Sequence, residues 1–64
     1  MPEKYIGQVV QIIYQDAKGQ ITQRTIRVRR IVDGKVLAYD FDKQAPRPFM
    51  IDRILALKPV GRTA

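Results

Sequence analysis

An Asp-Gly pair at residues 33–34 lies between two runs of strand-like residues, and no other feature of the sequence restricts the fold as strongly. On one side, the stretch from Arg24 to Arg29 sets Ile26 and Val28 against Thr25, Arg27 and Arg29, the period of two that a half-buried strand produces. On the other side, Lys35-Val36-Leu37-Ala38-Tyr39-Asp40-Phe41 reads as a second strand. A tight reversal between antiparallel strands needs residues that accept positive φ, and Asp-Gly supplies them, so the sequence predicts a β-hairpin here.

The remaining segments follow the same logic. Gly7 to Tyr14 is rich in β-branched residues and stops at Asp16-Ala17-Lys18-Gly19, which suits a turn with the glycine at positive φ. Asp42 to Pro46 is a polar loop, and Pro46 and Pro48 place the fourth strand, Arg47 to Ile51, at an edge or a bulge. Phe49 to Leu57 tolerates a helical spacing, but Pro48 and Pro59 bracket a stretch short for a stable helix and suited to two short strands meeting at Asp52-Arg53.

These segments predict an all-β fold: a small five-stranded SH3-like or Sm-like barrel whose long second strand is strongly bent. Closure would hide the edges that an open sheet exposes. With 64 residues there is room for one domain, with a core spanning about residues 7–58 and loose ends at Pro2 and at Pro59 to Ala64. The expected core side chains are Ile12, Tyr14, Ile26, Val28, Leu37, Phe49, Ile51, Ile54 and Leu57.

Composition removes whole classes of chemistry. The chain has no Cys, His, Ser, Asn or Trp. Zinc, iron–sulfur and haem ligation lose their usual donors, and no conventional nucleophile–base pair can be assembled. The carboxylates Asp40 and Asp42 stand two apart, but one such pair is weak evidence of a cation site, and solvation or pairing with Lys43 explains them better. No enzymatic activity, cofactor or metal is therefore expected. The absence of Cys suits a reducing compartment, and neither a secretory leader nor a membrane-length apolar run is evident, so the expected location is the cytoplasm.

Twelve Lys and Arg against six Asp and Glu give a net charge of +6, which attracts polyanions. The charge is concentrated: Arg24, Arg27, Arg29 and Arg30 fall within one segment that contains no acid. Extended, that segment is a cationic ribbon roughly 20 Å long. Arg27 and Arg29 share a face, while Arg24 and Arg30 fall on the opposite parity unless a bulge realigns them. Tyr39, Phe41 and Phe49 lie among the basic residues in sequence, and arginines beside aromatic faces are what single-stranded nucleic acid requires. Plain core packing is the competing role for all three rings.

The order of residues from Ile12 to Leu57 resembles the WYL domain, an Sm-like, SH3-type β-barrel found mainly in bacterial transcription regulators. The matching pieces are Ile13-Tyr14-Gln15-Asp16 leading to Gly19, then Arg24-Thr25-Ile26, then Leu37-Ala38-Tyr39-Asp40. The most specific piece is Arg47-Pro48-Phe49-Met50-Ile51-Asp52-Arg53-Ile54, which is similar to the family's closing pattern of Arg, Phe, a hydrophobe and Asp-Arg-Ile. Gly34-Lys35-Val36 stands where the family carries Trp-Tyr-Leu, which marks a divergent or short stand-alone member. The resemblance implies binding of nucleic acid or nucleotide-like ligands through basic residues, matched here by Arg24, Arg47 and Arg53.

The expected function is that of a non-enzymatic binding module for single-stranded nucleic acid or a nucleotide, linked to transcription regulation. Its site residues are Arg24, Arg27, Arg29, Arg47, Arg53 and Tyr39. The alternative is a structural or protein-interaction domain that associates as a small homo-oligomer, such as a homodimer, because one small core is insufficient alone.

Overall fold

In the computed structural model, which describes residues 2–60, Asp33 and Gly34 adopt φ of 52° and 74°, the two left-handed residues that a tight hairpin needs. They join β2 (Ile21–Val32) to β3 (Lys35–Asp40). The turn before β2 closes as its residues predict. Gly19 has a φ of 84°, and Asp16 Oδ1 accepts the N–H groups of Lys18 and Gln20, both at 2.9 Å. That turn leads back to β1 (Val9–Gln15), while β4 (Ala45–Met50) and β5 (Ile54–Pro59) meet through a 3-10 turn at Ile51–Arg53. A second 3-10 turn, Pro2–Tyr5, precedes β1.

The five strands make one antiparallel sheet in the order β4-β3-β2-β1-β5. The long β2 serves both halves: residues 21–27 pair with β1 and residues 26–32 pair with β3. Its register with β3 slips between Val28, opposite Ala38, and Arg30, opposite Leu37, so Arg29 is an extra residue in a bulge. A bulge bends and twists the strand that carries it, which accounts for one strand serving two halves. Among the described residues no ladder joins β4 to β5, and the sheet is open along that line. Side chains instead tie β4 and the 3-10 turn after it to β1 and the turn that follows β1. The Tyr14 ring meets Phe49 edge-on at 5.1 Å, its Oη accepts the Met50 N–H at 3.0 Å, and Arg53 Nη1 donates to the Asp16 carbonyl at 3.1 Å.

Prolines guard both edges. The Met50 N–H points away from β3, so alternation puts the nitrogens of Pro46 and Pro48 on the same free side, where no donor is missed. On β5 the Val60 N–H bonds the Val9 carbonyl at 3.0 Å, which places the nitrogen of Pro59 on the outer side. The expectation of an edge strand at the two prolines is thus met.

Val10, Ile12, Ile26, Val28, Val36, Ala38 and Phe49 are buried, with Tyr5, Tyr14, Ile31, Ile51, Ile54 and Leu57 packed against them. Leu37 is a correction to the expected core. On β3 the inward row is Val36, Ala38 and Asp40, and Leu37 stands on the other face with Tyr39. Its size suggests burial, but the pleat gives the interior to its smaller neighbours. Of the ends expected to be loose, Pro2 lies in a 3-10 turn and Pro59 and Val60 pair with β1; residues 61–64 lie outside the described part.

Candidate anion-binding site

The alternation of β2 exposes Arg27 on the outer face, and the bulge that follows keeps both Arg29 and Arg30 exposed. Were the alternation unbroken, Arg30 would point with Val28 into the core. Arg27 lies opposite Tyr39, and Arg30 lies opposite Leu37. The Tyr39 ring meets Phe41 edge-on at 5.2 Å, and Phe41 is 40% exposed. Phe41 is therefore an outer-face ring and not a core residue, whereas Phe49 is buried against Tyr14. Beside these groups an open cleft of about 520 Å³ has Leu37, Pro46 and Pro48 as its apolar floor, with Arg29, Arg30 and Arg47 around it. Among the described residues the one ion pair is Arg24 with Asp40, so the charges of Arg27, Arg29, Arg30 and Arg47 are uncompensated by any carboxylate in direct contact.

Arg24 and Arg53 are elsewhere. Arg24 pairs with Ile12 in register and shares the inward row with Ile26 and Val28, which puts it on the opposite face from Arg27. Its Nη1 lies 3.5 Å from Oδ2 of Asp40, whose side chain is fully buried. The Asp40 carboxylate is held on its other oxygen: Oδ1 accepts the N–H groups of Asp42 at 2.9 Å and Lys43 at 3.3 Å. Asp42 in turn accepts the Thr25 N–H through Oδ2 at 3.3 Å. The two acids thus fasten the loop after β3 to β2. Asp40 is not solvated, and its link to Lys43 runs through the backbone and not through an ion pair.

A second, smaller cleft of about 310 Å³ opens on this inner side. Tyr14, Thr22, Arg24, Arg47 and Phe49 line it together with Asp16, whose Oδ1 is turned into its own turn. Arg53 reaches the same corner through its bond to the Asp16 carbonyl. The three arginines matched by the family resemblance therefore gather around the inner side, while Arg27, Arg29 and Tyr39 lie on the outer one. Sequence reasoning left Arg30, Phe41 and the Leu37–proline floor out of the site. The bulge is the device that brings them in, and alternation read as unbroken conceals it.

Compared with known proteins, the chain matches no family model and no curated protein. Among solved structures it is similar to proteasome accessory factor B/C of Arthrobacter aurescens. The identity is 28% over 88% of this chain, with a TM-score of 0.74. The match spans 10% of that protein's chain. No helix among the described residues is long and apolar enough to cross a membrane.

Proposed function

We propose that the chain is a non-enzymatic binding module, a divergent WYL-like domain of the SH3-like or Sm-like barrel type, that takes single-stranded nucleic acid or a nucleotide. The likeness to the accessory factor is consistent with that family, and the family in turn suggests a place in a cytoplasmic transcription regulator. One observation carries the reading: Arg27, Arg29 and Arg30 stand exposed on the outer face, free of ion pairs among the described residues, with Arg27 opposite Tyr39 of the Tyr39–Phe41 ring pair. Guanidinium forks match phosphate oxygens, and exposed rings offer faces for bases. Three of the six carboxylates, Asp16, Asp40 and Asp42, are engaged in hydrogen bonds of the fold.

Titration of short single-stranded DNA and RNA at several salt concentrations tests it. Neutralising about four phosphates gives a log–log salt slope near −3, at about 0.7 per phosphate. A slope near zero with every oligonucleotide refutes the reading. Charge reversal at Arg27 and Arg29 is expected to weaken all sequences alike, since backbone contacts carry no base information.

A second reading, self-association as a homodimer, is favoured by Ile21 and Leu55, which are 60% and 52% exposed, with Leu55 on the edge strand β5, whose outer side meets no strand among the described residues. Sedimentation at several concentrations distinguishes it, because a dimer that ignores nucleic acid supports this reading against the first.

A further inference from the structure

The outer and inner clefts lie on opposite faces of β4, yet Arg47 and Pro48 line both. The clefts meet at the free edge of that strand. No peptide strand finds a donor there, because Pro46 and Pro48 have no N–H and the Met50 N–H is taken by Tyr14 Oη. The edge does offer an exposed guanidinium, Arg47, which makes no ion pair among the described residues. Further guanidiniums stand at either end: Arg29 and Arg30 outside, and inside Arg24, which is paired with Asp40 and shares the lining with Asp16. Each cleft also has an apolar surface: Leu37 with the prolines outside, and the half-buried Tyr14 ring with Pro48 inside.

We infer that the two clefts are halves of one site, which binds a chain of nucleotides running over the β4 edge, with Arg47 as the contact that joins the halves. The inference rests on the nucleic-acid reading of the arginine face and narrows it from any nucleotide to an oligomer. A mononucleotide fills one cleft at a time. An oligomer that fills both gains from linkage, since its second contact is made at high effective concentration, a gain of about 10²–10⁴ in affinity.

The test uses the full chain at low salt with thymidine 5′-monophosphate and thymidine oligomers of two to about eight nucleotides, a range that covers the small site sizes seen on β-barrels. Wild-type affinity is expected to rise at least about 100-fold from the monophosphate to the oligomer that first spans the edge, then to level off. Arg47→Gln is expected to cost the long oligomer about tenfold or more and the monophosphate less than about threefold, with an unchanged thermal midpoint because the side chain is exposed. The double change Arg29→Gln with Arg30→Gln is expected to remove the length gain while leaving monophosphate binding in the inner cleft. A wild type that binds oligomers no more tightly than the monophosphate overturns the inference, as does Arg47→Gln weakening both ligands equally. Both results leave the nucleic-acid reading standing. A chain that binds none of these ligands refutes that reading, and the inference with it.

Discussion

Replacing Arg24 with Met separates a structural role for this arginine from a ligand-contacting one. Asp40 is fully buried, and of its two oxygens only Oδ1 accepts hydrogen bonds; Oδ2 faces Arg24 Nη1 at 3.5 Å without a hydrogen bond. Opposite charges about 4 Å apart attract by about 4 kcal/mol at an effective dielectric constant of 20, before the cost of desolvating the carboxylate. Taking away one member of a buried pair costs about 3–5 kcal/mol, because the other charge stays behind uncompensated. Arg24 keeps 22% of its side-chain surface in solvent, which points to the lower end, about 3 kcal/mol. A chain of this size has a total stability of only about 3–10 kcal/mol. In urea, with a slope of about 1 kcal/mol per molar, the midpoint is expected to fall by about 3 M or the variant to be unfolded. Adding Asp40→Asn to Arg24→Met removes the stranded charge while an amide oxygen still accepts the Asp42 and Lys43 N–H groups. The double variant is therefore expected to be more stable than Arg24→Met alone by about 1 kcal/mol or more. Unfolding of Arg24→Met within about 0.5 kcal/mol of wild type, or a double variant weaker than the single, refutes the structural role of the Arg24–Asp40 pair.

Three other changes have defined outcomes. Tyr14→Phe leaves the exposed Met50 N–H to water while keeping the ring against Phe49, so stability should fall by about 0.5–1.5 kcal/mol and the Met50 amide should exchange hydrogen faster. Gly34→Ala puts a side chain at a φ of 74° with nothing within 4 Å of the new Cβ, so the expected loss of about 1–2 kcal/mol in a denaturant titration is backbone strain alone. Pro46→Ala with Pro48→Ala restores two N–H groups to the free edge of β4. The expected result is concentration-dependent association in sedimentation with a thermal midpoint close to wild type, and a strictly monomeric variant would count against the edge-guarding role.

Turns were the most legible part of the fold, because their chemistry is local. Asp33-Gly34 and Asp16 to Gly19 carry in their own residues the positive φ and the side-chain acceptor that define them. Strand identity was nearly as clear, since β-branched alternation survives almost any packing arrangement. Facing was not. Leu37 and Val36 are adjacent apolar residues, and which of them turns inward depends on the register of β3 against β2, a relation between distant residues. Val10, Val36 and Ala38 carry the core for the same reason, although larger neighbours attract the eye.

The arginines show where parity reasoning ends. Counting by twos correctly put Arg24 apart from Arg27, but charge density grouped them, and only the structure sends Arg24 inward to a buried Asp40. That partner is invisible in sequence because Asp40 looks like the last polar residue of a strand, when it is the inward member of a row that begins with Val36. Beyond Val28 the count fails altogether, since one inserted residue returns Arg30 to the outer face and lets Ile31 rejoin the core. The same insertion bends β2, so the feature that gathers three uncompensated guanidiniums is also the one that lets a single strand serve both halves of the sheet. Removing the bulge by deleting Arg29 would therefore disturb fold and face together. A probe of the site alone has to change Arg27 or Arg30 and leave the length of β2 intact.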